Sequence, residues 1–196
     1  TVAFHTKAWS QDIKPTFYIG AHAGASLANS AISVDGFNLV DGLGGETKSP
    51  AFGARGGVDF ALPGSVVFIG GFATYTVQDV EFSVLDGAFS ASLKNSWSAG
   101  GRAGVQLGNA KPYILAAYRQ TEVDWTGGGA PTLKGYDIGA GMSYALDKNL
   151  ELGLEGIWTK YQSHDLCGGC GFGMETDQLA VVAFLNFKVG GPEEAK

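Results

Sequence analysis

Residues 133–161 read LKGYDIGAGMSYALDKNLELGLEGIWTKY, one structural rule stated twice in opposite directions. In the first half Tyr136, Ile138, Ala140, Met142, Tyr144 and Leu146 share one face, and Asp137, Gly139, Gly141, Ser143 and Ala145 share the other. That period of two is the period of a β-strand. In the second half Leu150, Leu152, Leu154, Gly156 and Trp158 alternate with Glu151, Gly153, Glu155, Ile157 and Thr159. Asp147, Lys148 and Asn149 are turn formers between two apolar runs, so the stretch predicts a β-hairpin.

The polar phase decides the environment. A strand facing water carries Lys, Glu and Thr at most outward positions, whereas here the phase is Gly, Ser and Ala with a single Asp or a pair of Glu. Small residues with rare charges suit a narrow barrel interior. The other phase is almost unbroken Leu, Ile, Met and aromatic residues, with Tyr136, Tyr144 and Trp158 near strand ends, where a membrane barrel carries its aromatic girdles. The apolar face therefore reads as facing lipid. The competing reading is a soluble sandwich or lipocalin-like binding barrel with the alternation turned inside out.

Composition points the same way. Only 16% of the 196 residues are charged, against roughly 25% in ordinary soluble proteins. No apolar run approaches the roughly 18 residues of a spanning helix, which leaves a closed barrel as the way to satisfy backbone groups in a bilayer. The 31 glycines, many inside strand patterns, fit the bends and close approaches of a small, tilted barrel. A net charge of -6 repels phosphate backbones, so nucleic acid is not an expected partner. No secretory signal peptide is visible at Thr1, so a secreted form would be the processed one.

Taken in order, the chain predicts an N-terminal periplasmic tail over 1–15, a barrel over 16–192 and a C-terminal tail over 193–196. The first strand begins at Thr16 and points Tyr18, Gly20, His22, Gly24 and Ser26 inward; 29–50 reads as a large loop. The second strand, 51–62, points Arg55, Gly57 and Asp59 inward. The third starts at Val66 and carries Thr74, Thr76 and Gln78 inward; its parity slips near Asp79, predicting a bulge. Asp86-Gly87 predicts that strands three and four meet in a hairpin beyond the bilayer. Strand four points Ser98, Gly100, Arg102, Gly104 and Gln106 inward. Residues 108–111 read as a turn, and strand five, 112–122, has a phase left open by Tyr113 and Tyr118, with Arg119 assigned inward. The loop 123–131 precedes the opening hairpin, the loop 162–175 follows it, and 177–189 forms the eighth strand.

Turns near residues 63, 108 and 147 alternate with loops starting near 29, 79, 123 and 162. Short turns at one end and long loops at the other predict an all-β fold: an eight-stranded, antiparallel, up-and-down transmembrane β-barrel with both termini periplasmic.

The entry FYIGAHAGAS (17–26), the hairpin GYDIGAGMSYALDKNLELGLEGIW (135–158) and the ending AFLNFKVGGP (183–192) resemble segments of small outer-membrane porin-family barrels of alphaproteobacteria and, more distantly, the OmpA-like transmembrane domain. The likeness covers 16–192. Those families tend to end Asn-aromatic-Lys-aromatic as an assembly signal; Phe187 matches the first aromatic and Val189 stands where the last would be. The resemblance implies an integral protein of the bacterial outer membrane, in contact with outer-membrane lipid, that supports envelope integrity and meets surface or envelope partners through its long loops. It implies no cofactor and no catalytic residues.

Two sets of residues carry candidate chemistry. Cys167 and Cys170 form a CGGC pair in the last external loop, and an oxidising compartment predicts a disulfide there. His164 and Asp165 lie close in sequence, but two Cys, one His and one Asp make a weak zinc set. The second set is the inward charges Arg55, Asp59, Arg102, Arg119, Asp137, Glu151, Glu155 and Lys188, four of each sign. Unpaired charges in a narrow interior are costly, so the expectation is a salt-bridged plug; the alternative is a narrow channel for small solutes or ions. An enzyme needs a nucleophile beside an oriented base, and Ser163-His164 has no strand-placed acid to complete it.

Overall fold

A computed structural model describes residues 15–34, 37–40, 47–78, 80–84, 89–125, 132–162, 164–165 and 172–190. The described elements are β1 (Pro15–Val34), β2 (Phe37–Val40), β3 (Thr47–Ala61), β4 (Val67–Gln78), β5 (Val80–Val84), β6 (Phe89–Val105), β7 (Ala110–Trp125), β8 (Thr132–Ala145), β9 (Leu150–Tyr161), β10 (His164–Asp165) and β11 (Phe172–Gly190). Eight of them, in the order β1, β3, β4, β6, β7, β8, β9, β11, pair antiparallel with their neighbours in sequence, and β11 pairs back to β1. The result is a closed eight-stranded antiparallel barrel. Closure is long: the β1–β11 ladder runs from Thr16↔Gly190 to Val34↔Phe172.

The alternation of residues 133–161 is realised as read. Tyr136, Ile138, Met142, Tyr144, Leu152, Leu154 and Trp158 project outward and are exposed, while Asp137, Ser143, Glu151, Glu155 and Thr159 are buried in the lumen. The hairpin turn is held by Asp147, whose Oδ1 accepts from the backbone N–H groups of Asn149 and Leu150 at 2.6 and 2.8 Å. At the equivalent turn between β6 and β7, Gly108 has φ 63°, a left-handed conformation that a Cβ would strain. On the outer wall Tyr75 pairs with Trp97, Trp97 packs edge-on against Tyr118, and Tyr118 against Tyr136, both at 5.9 Å. These rings form a girdle towards the loop end, matching the interfacial belt of a membrane barrel.

Several boundaries differ from the sequence reading. The region 29–50 is not one loop: β1 runs on to Val34, β2 pairs with it, and β3 begins at Thr47. Likewise β7 extends to Trp125, and β11 starts at Phe172 inside the expected loop 162–175. Strands that leave the bilayer keep pairing through their backbones, but lipid no longer imposes an apolar phase on them, so the sequence signal fades before the strand ends. Residues 108–111 contain the expected turn, yet Ala110 and Lys111 already belong to β7. The hairpin expected around Asp86-Gly87 is approached by β5 and β6, paired to Val84↔Phe89.

Candidate functional site

The lumen is built from every second residue of the eight barrel strands. Near the short turns, Arg102 on β6 donates through Nε and Nη2 to the two carboxylate oxygens of Asp59 on β3, at 3.0 and 2.9 Å. Lys111 on β7 stands 3.8 Å from Asp59 and 3.7 Å from Glu151 on β9. Lys188 on β11 stands 4.0 Å from Glu151, which also accepts from Asn186 Nδ2 at 3.3 Å.

At mid-height Arg55 on β3 donates to both oxygens of Glu155 on β9, Nη1 at 3.0 Å and Nη2 at 2.8 Å. The Tyr113 hydroxyl donates to the same carboxylate at 2.6 Å. The Arg55 guanidinium lies 4.0 Å from the Phe184 ring centroid, and Arg102 lies 4.4 Å from that of Tyr18, so each cation is packed on an aromatic face as well as paired. Gly153 leaves the room for this: a Cβ there would overlap the Phe184 ring.

Towards the loop end Arg119 on β7 donates through Nε to Asp137 on β8 at 2.8 and 3.0 Å and through Nη1 to Ser96 at 3.0 Å. Thr159 donates to Asp137 at 2.7 Å. Above it a neutral set crosses the lumen: Gln178 Nε2 donates to Gln78 Oε1 at 3.0 Å, and the Tyr161 hydroxyl donates to Gln178 Oε1 at 2.9 Å. Tyr161 has one hydroxyl proton, so Thr121, 2.9 Å away, is the donor of their shared bond. His22 lies within hydrogen-bond distance of Thr76, Nε2 to Oγ1 at 3.0 Å. A cavity of about 30 Å³ beside His22, Thr76 and Gln78 is large enough for ordered water.

All eight charges expected in the lumen face it, and each stands within 4.0 Å of an opposite partner. Bidentate geometry fixes both the distance and the plane of each Arg–carboxylate pair. The expected balance of four against four is corrected: Lys111, assigned to a turn, is a fifth inward cation and is buried. The open phase of β7 is settled by Lys111, Tyr113, Leu115, Ala117, Arg119, Thr121 and Val123, all buried, with Tyr118 on the outer wall. Sequence reasoning also missed a small apolar cluster inside the lumen: Phe68, Tyr113, Leu115 and Phe184, with Phe72 against it. The alternation was the signal that could have placed them, because Phe68 shares parity with Thr74 and Thr76. Cys167, Cys170 and Ser163 lie outside the described residues, as do the side chains of His164 and Asp165.

No curated protein matches the chain. Among solved structures, the neisserial surface protein A (NspA) is similar at 16% identity over 88% of this chain and 97% of its own, with a TM-score of 0.55. Ail, the attachment invasion locus protein of Yersinia pestis, is 12% identical over 86% of this chain and 98% of its own, with a TM-score of 0.45. The outer membrane protein OprG of Pseudomonas aeruginosa is 13% identical over 89% and 95%, with a TM-score of 0.42. At that identity the likeness to NspA is one of fold. The family model of the outer membrane protein beta-barrel domain matches residues 1–187, in agreement with the lipid-facing wall, the girdle and the closed sheet: the chain belongs to that family and is a protein of the bacterial outer membrane.

Proposed function

We propose that this protein is a structural barrel of the outer membrane, with its lumen closed by charge pairs, that supports envelope integrity and makes surface contacts through its long loops. The observation that carries the reading is the Arg55–Glu155 pair. It joins β3 to β9 across the lumen, is bidentate, and is sealed by Tyr113 and Phe184. Charges that hold one another in this way at mid-height leave no need for a solute to satisfy them. The same arrangement argues for a non-enzymatic role, since the paired groups are committed to one another. We further propose, on its entry, hairpin and ending motifs, that the chain is a porin-family barrel of the alphaproteobacterial type, with 16–192 as the barrel unit.

The test is planar-bilayer recording of the reconstituted protein. The expected result is no steady conductance above baseline. A reproducible open state, with an ion selectivity that changes in Arg102→Ala, overturns the plugged lumen in favour of the narrow channel.

The CGGC pair fits the same setting. We propose that Cys167 and Cys170 are disulfide-linked in the oxidising envelope. Intact mass with alkylation, before and after reduction, reads this directly: no alkylation without reductant is expected, and two alkylated thiols without reductant rule the bond out.

A further inference from the structure

The small cavity in the lumen lies where the charged levels meet the neutral one. Arg55 and Glu155 line it together with Arg119, and so do the two glutamines of the cross-lumen contact, Gln78 and Gln178. The hydrogen bonds of this wall leave a one-sided remainder. Thr74 shares its hydroxyl with Ser98 at 2.8 Å, and Thr76 shares its own with His22 at 3.0 Å. Thr159 donates to Asp137, and Gln78 and Gln178 each accept through Oε1. Glu155 accepts from Arg55 twice and from Tyr113 once, which fills three of the roughly four lone-pair sites of a carboxylate. Every side-chain oxygen on the wall is therefore engaged.

Three nitrogens on the same wall are not. Nε of Arg55, Nε2 of Gln78 and Nδ1 of His22 have no hydrogen-bond partner among the described residues. Their side chains are 4%, 4% and 7% exposed, so bulk water does not serve them, and a buried donor left unmatched is costly. The first two are obligate donors. His22 joins them in the tautomer whose Nε2 accepts the Thr76 hydroxyl proton, which leaves the hydrogen on Nδ1.

The remainder selects the guest. A water molecule takes such donors but also brings two hydrogens that need acceptors, and the wall oxygens are already in use. An anion brings accepting capacity alone, and N–H bonds to a charged acceptor are the stronger kind. Two guanidiniums and one carboxylate face the cavity, so the sign of the wall also suits a negative guest. Its volume of about 30 Å³ is room on the scale of one or two water molecules, which suits a single monatomic ion and not sulfate or phosphate.

We infer that this cavity is a halide site, where Arg55, Gln78 and His22 donate to one chloride-sized anion. The ion pairs stay intact, because the anion uses only the N–H groups that pairing leaves over. Bilayer recordings and anion occupancy fail separately: an open lumen leaves these nitrogens on the wall, and an empty site leaves the charge pairs closed.

The probe is bromide. Crystals of the full chain in detergent, grown with sodium bromide in place of chloride, are measured at the bromine absorption edge. One anomalous peak is expected within hydrogen-bond reach of Arg55, Gln78 and His22. In solution, exchanging gluconate for bromide at constant ionic strength is expected to raise the thermal unfolding midpoint along a saturable curve. Gln78→Glu keeps the shape and the oxygen that accepts from Gln178 but replaces the free donor with an acceptor. It is expected to abolish the peak and to weaken the half-saturating concentration by about tenfold or more. His22→Leu replaces it if circular dichroism shows loss of the barrel, and is likewise expected to weaken binding. Ser143→Ala, buried in the lumen away from this wall, is expected to leave both readouts unchanged. Density in the cavity without anomalous signal means water only, and bromide confined to the outer surface means an adventitious ion only. Either result, or a bromide response equal in wild type and Gln78→Glu, overturns the assignment.

Discussion

Arg102 shows what parity does and does not reveal at the scale of a residue. Its inward placement follows from alternation along β6, and so do those of Arg55, Asp59, Asp137, Glu151 and Glu155. Its partner does not follow, because the choice of Asp59 over Glu151 depends on how the closed sheet brings β6 beside β3. Residue type misled where parity was not consulted: Phe68 and Phe184 are apolar yet inward, and Lys111 is charged yet lies in a strand. Energetically, the Arg102 pair differs from Lys188. Arg102→Ala leaves Asp59 buried with only Lys111 at 3.8 Å, and is expected to lower stability by about 3 kcal/mol, towards the low end for a broken buried pair. Lys188 stands 4.0 Å from Glu151, beyond hydrogen-bond reach, and Glu151 keeps Lys111 at 3.7 Å, so Lys188→Ala is expected to cost less, about 1 kcal/mol. Urea unfolding of both variants in one detergent checks the contrast, and equal losses would refute it.

At the scale of the element, β8 and β9 were the most legible strands because lipid selects one phase and crowding the other. Where either constraint lapses, so does the signal. The upper parts of β1, β3 and β11 carry no apolar phase imposed by a bilayer, and their sequence reads as loop although the ladder continues to Val34↔Phe172. The bulge expected near Asp79 falls on a residue outside those described, and the register shift on β6 between Leu93 and Ser96 gave no separate cue. The lipid-facing assignment of β9 has a direct consequence. Leu154 is 59% exposed between the turn at Asp147 and the girdle, so Leu154→Arg places a guanidinium in hydrocarbon. A loss of roughly 2–4 kcal/mol is expected in lipid vesicles. An unchanged midpoint of chemical unfolding in those vesicles would remove Leu154 from the hydrocarbon zone.

For the whole molecule, the alternation of short and long connections carried the strand number and the antiparallel order. Ion-pair partners were beyond it, since Arg55 and Glu155 are brought together only when the sheet curls round and closes. The seam that completes the closure is the ladder between β1 and β11, the longest one described. It joins the first barrel strand to the last, so its contacts have the greatest sequence separation of any ladder described. Until the last strand arrives, β1 and β9 each present an unpaired edge, and no local pairing can substitute for the missing partner. Closure therefore requires an entropically costly meeting of distant segments, the condition that makes topologies rich in non-local pairing slow. The interval before that meeting is when the chain is most open to sticking to its neighbours, so its fate is set by the time taken to reach the closed state as well as by the stability of that state.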